Sequence, residues 1–93
     1  MNVFLLDKPE TEEDVELLLE SRPRFLRMPD GKRRMFWLPR VVWQAESFAV
    51  VSGFEEKQLV DWAIEEGERT GLPFELTYPY IVYCAAHKAA KMP

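Results

Sequence analysis

The chain has 93 residues, 47% of them hydrophobic and 30% charged, with a net charge of −4. That length leaves no room for two cores and predicts one domain over 1–93, while the apolar share excludes a disordered polar chain. A single cysteine, Cys84, excludes an internal disulfide and cannot by itself build a metal centre.

Residues 2–6 open the chain as a short apolar strand, which Asp7-Lys8-Pro9 ends. No basic flank precedes that run and it is too short for a signal segment. The longest apolar run, Tyr80 to Ala86, falls far short of a bilayer span. The expectation is a cytoplasmic protein without a membrane segment.

Thr11 then reads as a helix N-cap with Asp14 three residues on. The helix is expected to reach about Ser21, because the residue before Pro23 is pushed out of the α region. Val15, Leu18 and Leu19 form its expected core stripe, with Glu12, Glu13, Glu16 and Glu20 toward water.

Two apolar-cationic runs, 24–28 and 32–38, flank Pro29-Asp30-Gly31. Proline presets φ, aspartate bonds the following backbone and glycine accepts positive φ, so the stretch predicts a β-hairpin. Alternation puts Arg33, Met35 and Trp37 on one face and Arg34, Phe36 and Leu38 on the other, with Leu26 and Met28 opposing Phe25 and Arg27. Neither face is purely polar, so one must expose bulky apolar groups.

Residues 40–51 fit two patterns. A strand would align Val41, Trp43, Ala45, Ala49 and Val51; a helix would align Val41, Ala45, Phe48 and Ser52. Pro39 before the run and Gly53 after it favour the helix. Ser52 and Glu55 look like a second capping box, opening a helix over 54–69 with Leu59, Trp62 and Ala63 on one side and Gly71 as its stop. Residues 72–76 read as a linker or edge strand. Thr77 is expected to cap a last helix with Pro79 in its first turn, largely buried and running to about Lys91.

The expected fold class is α+β: a small antiparallel sheet, made of the N-terminal strand and the hairpin, packed with three to four helices. The expected core holds Leu5, Leu18, Leu19, Phe36, Phe48, Leu59, Trp62, Ile81 and Cys84.

Net charge conceals segregation. Residues 1–21 carry seven acids and one lysine, residues 22–40 seven bases and one acid, and residues 41–93 eight acids and four bases. A basic strip therefore lies between two acidic blocks. Its candidate partner-binding residues are Arg24, Arg27, Lys32, Arg33, Arg34, Trp37, Arg40 and Trp43.

Three uses compete for that strip. One is a non-catalytic protein-binding module, a small regulator or inhibitor, meeting a partner with an acidic surface; conversely, the acidic helices could meet a basic one. Rows of carboxylates can imitate a phosphate backbone, as small inhibitors from viruses do. The second is nucleic-acid binding, with phosphates on the cations and bases stacked on the aromatics. The third is a structural subunit of a homo-oligomer, which would consume the exposed aromatics. Against all three stands a purely internal role, in which the cations pair with Glu12, Glu13, Glu16 and Glu20 and the aromatics fill the core.

Catalytic signals are missing from the sequence: it has no Gly-rich phosphate loop, no carboxylate pair in a recognisable frame and no nucleophile elbow. Cys84 and His87, three apart on an apolar helix, suit packing and a helix end better than chemistry. The chain is expected to be no enzyme and to use neither cofactor nor metal.

Overall fold

The computed structural model describes residues 11–92. It is a small α+β fold: α1 (Glu12–Leu19), β1 (Ser21–Arg27), β2 (Arg33–Pro39), α2 (Arg40–Val51), α3 (Glu56–Thr70) and α4 (Phe74–Ala90). The expected strand at 2–6, with Leu5, lies outside the described residues.

Thr11 caps α1 as its sequence suggests, its hydroxyl accepting the Asp14 N–H at 3.1 Å. The helix stops at Leu19, and Ser21 already belongs to β1. Pro23 pushes Arg22 into extended backbone, and the pairing of Ser21 with Pro39 carries the strand one residue further back, so the boundary falls two residues before the expected one. No residue of α1 is buried. Leu18 is half-buried while Val15 and Leu19 face outward, which corrects the expected core stripe.

The hairpin forms as expected. Ser21 faces Pro39 at its open end and Arg27 faces Arg33 beside the turn. The turn is closed by Gly31 N–H to the Met28 carbonyl at 2.9 Å and by Lys32 N–H to Asp30 Oδ1 at 2.8 Å. Gly31 sits at a φ of +84°, a conformation that strains any side-chain-bearing residue.

Residues 40–51 are helical throughout. Pro39 takes the N-cap, and the buried side holds Val42, Ala45, Glu46 and Ala49 at i, i+3, i+4 and i+7, with Trp43 beside them. The expected face is thus rotated, leaving Val41 and Phe48 half-buried at its margin. Ser52 closes α2 instead of opening α3, its N–H donating to the Phe48 carbonyl at 3.0 Å. Glu55 is the N-cap of α3 and makes no side-chain cap bond, so the second capping box does not form.

Leu59, Val60 and Ala63 are the buried residues of α3. Trp62 is 38% exposed and meets the edge of Phe54, 6.2 Å between ring centroids. Gly71 ends α3 in the left-handed region. One turn earlier, a Cβ on Gly67 would lie 3.1 Å from the Leu72 carbonyl oxygen, so the link folds back across a position with no side chain.

Helix α4 starts at Phe74, not near Thr77, with Pro73 as N-cap. Pro79 lies inside the helix, where its missing N–H leaves the Glu75 carbonyl without its usual donor. Burial is confined to one side: Thr77, Tyr78, Val82, Ala85, Ala86 and Ala89. Ile81 and Tyr83 are half-buried and Cys84 is exposed, so the helix is less enclosed than its composition suggests.

Alanines at 45, 49, 63, 85 and 86 are all buried, and α2 and α3 each pack against α4. Small side chains let these backbones approach closely. The inner hairpin face closes the core with Leu26, Phe36 and Leu38, and Phe36 meets Phe74 at 4.8 Å between centroids. Burying each such side chain contributes roughly 1.5–3 kcal/mol.

Candidate functional site

Strand alternation divides the basic strip between two environments. Pairs facing across the strands share a face, so Pro23 with Trp37, Phe25 with Met35 and Arg27 with Arg33 form the outer surface. Leu26, Arg24 with Phe36, and Leu38 lie on the inner one.

The inner side is committed to the fold. Trp43 is buried, and its indole N–H donates to the Arg22 carbonyl at 2.9 Å. The Arg24 guanidinium lies 5.3 Å from the centre of that indole and 3.5 Å, Nη1 to Oε1, from Glu46. Arg34 sits over Phe36 at 5.4 Å. Trp43 therefore holds the hairpin to α2 from the interior, and Arg24, its side chain 46% exposed, bridges the two at the edge.

Glu46 itself is only 2% exposed, and the fully buried Tyr78 hydroxyl donates to its Oε2. Burial holds the Glu46 carboxyl above its ordinary value, opposed by the Tyr78 hydrogen bond and the Arg24 charge. Burial, with the carboxylate next to it, pushes the Tyr78 phenol well above its usual range. Nothing in the sequence pattern marked this cluster, because Glu46 occupies an i+4 position on an otherwise apolar stripe. Both groups are shut off from solvent, and an acid or base that acts on a substrate must touch it.

Removing the phenol oxygen strands a buried carboxylate. Tyr78→Phe should cost about 1–3 kcal/mol, read as a lower urea midpoint. The pH dependence carries a distinctive sign. A raised carboxyl pKa means that the folded chain keeps its proton longer than the unfolded one. The contribution of Glu46 is therefore fully present below the ordinary value of 4.5 and lost as pH rises through the higher folded value. Glu46→Gln lacks that loss, so its stability relative to wild type should climb over that window; a flat difference would refute the assignment.

The outer face has the opposite character. Phe25, Met35 and Trp37 are 55%, 51% and 59% exposed, three large side chains in one patch on two short strands. Arg33 lies over Phe25, 5.3 Å from the ring centre. Arg27, Lys32, Arg33, Arg34 and Arg40 make no ion pair among the described residues. Of the carboxylates expected to neutralise the strip, only Glu20 engages it, through Arg22 at 3.2 Å. Lys32 lies in the turn and Arg40 opens α2, both exposed beside the ribbon. Both strand edges are unpaired among the described residues.

The chain matches no family model, no curated protein and no solved structure.

Other chemistry is sparse. Cys84 and His87 are both exposed. Among the described residues no three His, Cys, Asp or Glu side chains could hold a metal ion. No described helix is long and apolar enough to cross a membrane.

Proposed function

We propose that this chain is a non-catalytic protein-binding module that docks through the outer face of its hairpin. The observation behind this reading is the exposed Phe25, Met35 and Trp37 patch with Arg27 and Arg33 beside it. Aromatics, methionine and arginine are the residue types enriched where proteins meet. The fold keeps Phe36 and Leu38 inside and spends Trp37 and Met35 outside, although strand alternation would accept polar residues there without loss. The partner it suits presents carboxylates beside apolar side chains, since the arginines then gain charge-assisted bonds while the rings are covered.

Single-stranded nucleic acid is the second reading, favoured by two exposed rings beside two unpaired guanidinium groups. One experiment separates the two. A photo-crosslinking phenylalanine analogue replaces Trp37, and in a control Gln58, which is exposed on α3. Protein adducts from position 37 and none from 58 are expected, with negligible oligonucleotide binding at low salt. No protein adduct, together with oligonucleotide binding that falls steeply with salt and is lost in Arg27→Ala/Arg33→Ala, would overturn the protein reading.

A further inference from the structure

The acidic helix α1 is an unusual element of this chain. It has eight residues, none of them buried. Helices this short are marginal in water and persist through tertiary packing of an apolar face. Yet Val15, Leu17 and Leu19 are all exposed, and within the described chain α1 touches chiefly α2. Glu12, Val15, Glu16 and Leu19 fall at i, i+3, i+4 and i+7, one continuous face of alternating carboxylate and aliphatic side chains. Glu12, Glu13 and Glu16 make no ion pair among the described residues.

That face is the chemical complement of the outer hairpin face. One offers carboxylates flanking aliphatic groups; the other offers guanidinium groups flanking Trp37, Phe25 and Met35. Each is the surface the other needs, and among the described residues both stand open without joining. Edge-to-edge strand pairing would leave α1 uncovered, and a foreign partner for the hairpin would do the same.

We propose that the partner of the hairpin is α1 of a second copy of this chain, and reciprocally, in a two-fold dimer. A two-fold arrangement satisfies all four faces at once, whereas a one-way contact would leave one of each open and propagate. Burial of the aliphatic stripe adds to the limited packing that α1 has among the described residues, where Leu18 is half-buried. Opposite charge at the border sets the register and disfavours hairpin-on-hairpin contact. This inference rests on the proposed reading of the hairpin as a protein-docking surface.

Sedimentation of the whole chain at micromolar concentration tests it, with two charge reversals. Arg27→Glu/Arg33→Glu makes the hairpin acidic, and Glu12→Arg/Glu16→Arg makes α1 basic. Wild type should sediment as a dimer and each variant alone as a monomer. An equimolar mixture of the two variants should restore the dimer, because both contacts in the mixed pair are again between opposite charges. Leu19→Ser, at the C-terminal end of α1, leaves the helix start untouched and should weaken the wild-type dimer at least tenfold. Monomeric wild type overturns the proposal, as does a dimer indifferent to the α1 changes or a mixture of folded variants that stays monomeric. Failure here is distinct from failure of the broader reading: a monomer that still gives adducts to another protein from position 37 removes the second copy and keeps the docking surface.

Discussion

Trp43→Ala should lower the unfolding free energy by about 3–5 kcal/mol, the cost of emptying a large buried aromatic site. In a small domain with roughly 5–15 kcal/mol in total, that is a large share of all stability. The indole lies where three elements converge. Its N–H bonds the Arg22 carbonyl of β1, the Arg24 guanidinium covers its ring, and Tyr78 of α4 lies 6.4 Å away between centroids. Truncation therefore leaves a void and an unsatisfied strand carbonyl, and it bares the neighbourhood of the buried Glu46. Trp43→Phe separates these effects. It keeps most of the packing and loses the hydrogen bond, so it should cost about 0.5–1.5 kcal/mol more than its small loss of volume. Urea denaturation followed by circular dichroism reads both. A cost below about 1 kcal/mol for the alanine variant would mean that the indole does not hold the hairpin to α2.

The parts of this fold that could be read from residues are those decided locally. The hairpin turn follows from Pro29-Asp30-Gly31, the cap of α1 from Thr11, and the stop of α3 from Gly71, each a backbone preference acting over a few residues. Strand alternation likewise separated Trp37 from Phe36 correctly. Facing of the helices was harder to read, because tertiary contacts choose among several near-equivalent stripes. On α2 the winning stripe includes an acid, Glu46, which hydropathy places outside; only the approach of Tyr78 and Arg24 makes its burial tolerable. The helical spacing of Trp62 with Leu59 and Ala63, and the apolar run around Cys84, predict burial for both, yet α3 and α4 bring alanines and valines together and leave those two exposed. Ser52 and Glu55 had the spacing of a capping box, but the Ser52 N–H closes α2 first.

The basic strip shows the same limit at the level of the site. Composition made one patch of it. In the structure Arg24 bridges the hairpin to α2, while Arg27, Arg33 and Arg34 make no ion pair among the described residues, and no count of charges could distinguish them. The amphipathic pattern of α1 predicts a core face, whereas in the structure Val15 and Leu19 are exposed and only Leu18 of that stripe is half-buried.

Docking through the outer hairpin face, as proposed, requires that this face contribute little to the folding of the single chain. Neighbouring residues on one strand test it. Phe36→Ala and Trp37→Ala remove large rings from opposite faces of β2, the first buried and the second exposed. Urea denaturation at sub-micromolar concentration, where association is suppressed, should show a cost of about 3–5 kcal/mol for Phe36→Ala and within about 0.5 kcal/mol of wild type for Trp37→Ala. Comparable losses from both would contradict the account, because Trp37 would then belong to the core of the single chain and would not be available to a partner.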